Sequence, residues 1–213
     1  MLKCQNTISF NPLAGLPQLA PSNQKQGCVP TDEDCFALWR KYAMLPNVQK
    51  HSLMVAHIAT WLAERLQHAG VALSVQLVRA SALLHDLAKS YCILHGGGHA
   101  SLGAAWAVAE LRNYALAQGV LTHVCWPWEI PDACHIGQLP FLVIYADKRV
   151  KHDQCVTIEQ RYEDLLMRYG HTSGACRSIL ASLEQGRQIE NALSTLLGCN
   201  LHESTFDCGG LVK

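Results

Sequence analysis

Residues 81–90 read SALLHDLAKS and set a histidine beside an aspartate inside an apolar run. Ala80, Ala82, Leu83, Leu84, Leu87 and Ala88 surround the pair, so the segment is suited to burial. An ionised carboxylate taken out of water must be neutralised, paired or bound to a metal, because its unpaired burial is prohibitive. Neighbouring helical residues point about 100° apart, so His85 and Asp86 do not face each other. Both can still point into one cavity from a helix edge. An imidazole nitrogen and a carboxylate oxygen are good ligands for a borderline or hard divalent cation. Alone, the dipeptide reads first as a buried polar pair satisfied by backbone and neighbours, with His85, Arg79 or Lys89 as the local partner of Asp86.

The same burial problem recurs at two other places. His51 heads a helical face that continues through Val55, Ile58 and Leu62, which directs its ring toward a core. Asp147 closes the run Phe141-Leu142-Val143-Ile144-Tyr145-Ala146, so a second carboxylate ends an apolar segment. Two such acids and two such histidines can resolve one another's burial around a cation.

The surrounding chain reads as all-α, a compact bundle of six or so helices. Residues 1–30 carry four prolines and read as an extended or partly disordered arm. Residues 31–198 form the helical domain, and 199–213 a tail. Thr31 is a candidate N-cap ahead of acids at 32–34, and Pro46 can open a second helix ending near Gly70. Ser74 can cap a third helix reaching about Lys89. After Gly96-Gly97-Gly98, residues 99–117 read as a fourth. Residues 141–150 are ambiguous between helix and strand. Two further helices are predicted over 157–169 and 174–197, with Gly198 as a stop.

Composition narrows the function classes. With 17 basic and 17 acidic residues the formal net charge is zero, which disfavours an extended nucleic acid or a polybasic membrane partner. No apolar stretch is long enough for a membrane span, and Lys3 is followed by no continuous apolar core of a signal peptide. The ten cysteines form no C-x-x-C pair, so reduced, mostly buried thiols of a cytoplasmic protein are expected. Nothing bears on oligomeric state.

His51 in HSLMVAHIATWLAERL, His85-Asp86 in HDLAK and Asp147 in YADKRV together resemble the HD superfamily of metal-dependent phosphohydrolases, over roughly residues 45–170. The resemblance implies that His51, His85, Asp86 and Asp147 hold a first divalent metal (Mn, Mg, Fe, Co or Ni). His99 and His123 are candidates for a second, with Asp86 bridging. Some two-metal relatives have another histidine where this chain has Val124. The implied chemistry is hydrolysis by a metal-activated water, centred on Asp86, with metal and nearby cations absorbing negative charge. Lys89 is the candidate phosphate grip and catalytic partner, and Lys148 and Arg149 are second candidates for substrate binding. The expected partner is a small phosphorylated substrate, with a nucleotide among the options: a phosphate monoester, a nucleotide phosphodiester or a phosphoanhydride. Two alternatives remain on the same scaffold: a di-iron oxygenase, separable by metal identity and oxygen consumption, and a non-catalytic signalling or binding module. Of the other histidines, His57 reads as surface or structural, His95 and His135 as loop residues near the site, and His68, His152, His171 and His202 as solvent-exposed. Trp126 and Trp128 read either as a wall for a nucleobase or as a hydrophobic plug.

Overall fold

A computed structural model describes residues 27–131 and 133–207. The predicted arm falls largely in 1–26 and the last part of the predicted tail in 208–213, both outside the described residues. The chain runs through α1 (Asp32–Lys41), α2 (Pro46–His68), α3 (Val75–Leu84), α4 (Lys89–His95), α5 (His99–Leu111) and α6 (Tyr114–Thr122). It continues through α7 (Ala133–Ile136), α8 (Leu139–Lys148), a short antiparallel ribbon of β1 (Val150–Lys151) and β2 (Gln154–Cys155), α9 (Ile158–Tyr169) and α10 (Ser173–Leu197).

Local chemistry explains most of the boundaries. Thr31 caps α1 in a reciprocal box with Asp34, and Thr157 does the same for α9 with Gln160. Pro46 occupies the first turn of α2, where its missing N–H costs nothing. The inner face of α2, from Val48 through Leu66, packs chiefly on α3 and α8.

Two expectations are corrected and one ambiguity is resolved. The third helix stops at Leu84, and His85–Ala88 form a turn before α4 starts at Lys89. The fourth helix breaks at Arg112, which takes a left-handed conformation with φ 51°, and Asn113 recaps α6. The ambiguous stretch at 141–150 is helical through Lys148, because α2, α3 and α6 surround α8 and bury nearly all of it. Its continuous apolar run marks a helix buried all round.

The segment after α10 is not a loose tail. Leu201 and Phe206 are fully buried, and the His57 ring meets the Phe206 carbonyl at 2.8 Å. Arg149 binds this segment from within. Its guanidinium donates to the carbonyls of Val156 and Ser204 at 2.6 and 2.9 Å and pairs with buried Glu190 at 3.2 Å. The thiols also differ from expectation: among the described free cysteines only Cys35 is buried, while Cys28, Cys125 and Cys199 are exposed. No helix among the described residues is long and apolar enough to cross a membrane.

Candidate metal centre

Six side chains from five stretches of the chain converge at one place. His51 comes from the second turn of α2, His85 and Asp86 from the turn between α3 and α4, and His99 from the first residue of α5. His123 caps the end of α6, and Asp147 sits in the last turn of α8. The break after Leu84 resolves the problem of adjacent ligands. With the helix interrupted, His85 and Asp86 can turn toward one point that a continuous helix would deny one of them.

Three of the imidazoles are pinned from behind. Nδ1 of His85 donates to Ala82 O at 2.7 Å, Nδ1 of His123 to Val120 O at 2.7 Å, and Nδ1 of His51 to His152 O at 2.8 Å. A carbonyl can only accept, so each Nδ1 carries a proton and Nε2 is the ring nitrogen turned toward the centre. Such backing hydrogen bonds are the usual way of orienting a histidine ligand.

The two oxygens of Asp86 face different partners. Oδ2 lies 3.4 Å from His85 Nε2 and 3.9 Å from His51 Nε2; Oδ1 of Asp147 joins that side, 3.0 Å from His51 Nε2 and 3.8 Å from His85 Nε2. Oδ1 of Asp86 lies 3.3 Å from His99 Nε2 and 3.5 Å from His123 Nε2. Two ligands at about 2.0–2.3 Å from one ion can be separated by up to about 4 Å, so every one of these pairs fits around a cation.

The donor set also needs something to hold. His85 Nε2 and Asp86 Oδ1 are fully buried with no hydrogen-bond partner. Nε2 of His99 and Nε2 of His123 stand 3.2 Å apart, a contact that a shared proton or an intervening cation must relieve. Buried unsatisfied atoms cost about 1–3 kcal/mol each, more when charged, so gathering them in one place is a burden that a divalent ion removes. Burial favours the neutral form of Asp86, yet His85, Lys89 and the hydrogen bonds around it hold its carboxyl well below the usual range. Burial pushes His99 down to about 4, which keeps its ring neutral and able to ligate near pH 7.

The family model of the HD domain matches residues 48–157, just over half of the 213-residue chain. The chain belongs to the HD-domain family. No curated protein and no solved structure matches it. All six residues singled out as ligands in the sequence meet in this HD domain, and its His/Asp cluster can hold a metal.

The cations are placed less uniformly. Lys89 lines the pocket above the centre with its Nζ 2.7 Å from Asp86 Oδ2. Burial opposes its charge, but Asp86 and Asp147 outweigh that and raise its pKa. Lys148 also reaches the pocket wall, but its ammonium is committed to Val124 O, Tyr162 OH and Ser182 Oγ at 3.1, 2.9 and 2.7 Å. All three of its hydrogens are engaged in the wall. Arg149 is a correction: it points away, into the Glu190 and chain-end network, and binds no part of the pocket. His95 is exposed beside Tyr91 and lies outside the pocket, as does His135. His152 is exposed at the pocket rim, and its carbonyl orients His51, a role of the β1–β2 turn that side-chain reading could not find. Trp126 is a plug, 4 % exposed and packed on Phe141.

The pocket over the centre holds about 860 Å³. One face of α9 supplies much of its outer wall: Arg161, Tyr162, Leu165, Arg168 and Tyr169. Sequence reading missed this wall. Its signal is the spacing of 161, 165 and 168, which aligns two arginines with the apolar stripe of an amphipathic helix.

Proposed function

We propose that this HD domain is a metal-dependent phosphohydrolase that uses two divalent ions bridged by Asp86. The observation that carries the reading is the pair of orphaned buried atoms, His85 Nε2 and Asp86 Oδ1, facing opposite halves of one donor cluster. His51, His85, Asp147 and Asp86 Oδ2 would hold one ion; His99, His123 and Asp86 Oδ1 would hold the other. Bound divalent ions supply positive charge to a phosphoryl oxygen and make water acidic enough to act as a nucleophile near neutral pH.

The chain's own residues arrange the rest. Buried Ala82, Leu83, Leu84 and Leu87 keep the ligands rigid and their surroundings dry, which strengthens every charge interaction there. Lys89 opens onto the pocket beside Asp86 and retains donors for a phosphate oxygen. In the reaction a water oxygen bonds to phosphorus and the bond from phosphorus to the leaving oxygen breaks. The products are a phosphate and a protonated leaving group.

The test is metal analysis of the purified protein, followed by a phosphatase and phosphodiesterase screen with Mn, Mg, Fe, Co or Ni. Activity that Asp86→Ala abolishes is the expected result. Tightly held iron with oxygen consumption and no hydrolysis would transfer the protein to the oxygenase reading, and no Asp86-dependent turnover of any kind would leave a binding module.

A further inference from the structure

Arg161 is a cation in the pocket wall whose guanidinium has no hydrogen-bond acceptor among the described residues. Its side chain is 11 % exposed, and among the described residues its one carboxylate neighbour is Asp164, at 3.7 Å, beyond hydrogen-bonding reach. That carboxylate is already shared. Arg168 donates to it directly, and Lys151 lies 3.6 Å from its other oxygen. Three cations set against one carboxylate leave the cluster with net positive charge. Burying a guanidinium fork without an acceptor is costly, and Arg161 lines the pocket, where a ligand could supply one.

The placement separates this cluster from the metal centre. Arg161 and Arg168 lie seven residues apart on the pocket face of α9, which contributes no metal ligand. Lys50, exposed and next to His51 in α2, lines the same pocket. Arg161 and Lys89 stand on different elements, α9 and α4, and both line this one pocket. A phosphate at the metals and Lys89 would therefore leave Arg161 unanswered. A guanidinium fork is best answered by a second phosphate, which accepts two parallel hydrogen bonds.

We propose that Arg161, assisted by Arg168 and Lys50, binds a second phosphate group of the substrate, so that the preferred substrates carry two phosphates, joined by an anhydride or placed on one small molecule. This rests on the hydrolase reading for the identity of the first phosphate's site. Arg161 acts here as a specificity-determining residue: it binds the part of the substrate beyond the bond that breaks.

The experiment uses the full chain loaded with metal and compares methylenediphosphonate, which resists hydrolysis, with inorganic phosphate. Each is measured as a competitor of p-nitrophenyl phosphate hydrolysis and, independently, as a ligand by calorimetry. In the wild type the diphosphonate is expected to bind at least about 10-fold tighter than phosphate, the scale of one charge-assisted hydrogen-bonded contact. In Arg161→Gln that ratio is expected to collapse toward one, and Arg161→Lys to recover part of it. Unchanged melting temperature and metal content establish that the variants are folded. A wild-type ratio near one, or a ratio that survives Arg161→Gln, overturns the subsite. Absence of hydrolysis with an Arg161-dependent ratio in calorimetry would instead sink the hydrolase reading and leave the subsite standing.

Discussion

His51 and Asp147 lie 96 positions apart in the chain, and their Nε2 and Oδ1 atoms stand 3.0 Å from each other. That contact joins the second turn of α2 to the last turn of α8, with the His152 carbonyl holding the ring from the far side. Both atoms are metal-ligand types, and a cation at the centre could be held by the two together. His51→Gln and Asp147→Asn are therefore expected to weaken metal binding by more than about 100-fold, since loss of a ligand should exceed the 10–100-fold cost of losing a mere orienting partner. Competition with a fluorescent chelator measures this directly.

The two faces of Asp86 predict a stoichiometry. His123→Ala removes a donor from the Oδ1 side alone and should reduce bound metal from two equivalents to one. Asp86→Ala should reduce it to none held tightly. Equal metal content in wild type and His123→Ala, measured by elemental analysis after dialysis, would contradict a bridging carboxylate.

Arg149 predicts a change in stability with no direct loss of chemistry. It is 2 % exposed and serves Glu190, the Tyr145 hydroxyl and the carbonyls of the chain-end segment. Arg149→Met leaves buried Glu190 with only the Tyr145 hydroxyl and His202 beside it, and should cost about 3 kcal/mol in chemical denaturation. Simultaneous replacement by Glu190→Gln should return part of that loss.

Cys35 predicts an alkaline effect. Burial, reinforced by Asp32 and Asp34, pushes its thiol up to about 12 from an ordinary value of 9.0. The folded state thus keeps the proton that the unfolded state surrenders first. The stabilisation is complete below the unfolded value near 9 and is lost as pH rises through about 12. The stability gap between wild type and Cys35→Ala should narrow across that window. At neutral pH, iodoacetamide should label Cys28, Cys125 and Cys199 of the folded protein and spare Cys35, as read by peptide mass spectrometry.

What the sequence discloses about this site depends on the kind of contact. His51, His85, Asp86 and Asp147 were legible because each sets a polar group against an apolar pattern, and burial makes such a conflict conspicuous; His99 and His123 were found only through the family resemblance. The turn at His85–Ala88 was not, because its leucines and alanines carry good helix propensity and only packing ends the helix there. Arg149 misled for a related reason. It directly follows Asp147 and Lys148, but one further step around the end of a helix reverses the direction of a side chain. The α9 wall went unread because two arginines on a helix ordinarily signify solvent, and their inward aim depends on α10 and the β1–β2 ribbon packing beside them.

The donors of the centre come from five stretches of chain that no disulfide joins among the described residues. An ion bound there acts as a cross-link. Tying His51 to Asp147 closes a loop of almost half the sequence, and the other ligands partition it into smaller rings, each of which lowers the conformational freedom of the unfolded chain. Such a staple would be inorganic and reversible, and the native state would gain stability as the concentration of free metal rises.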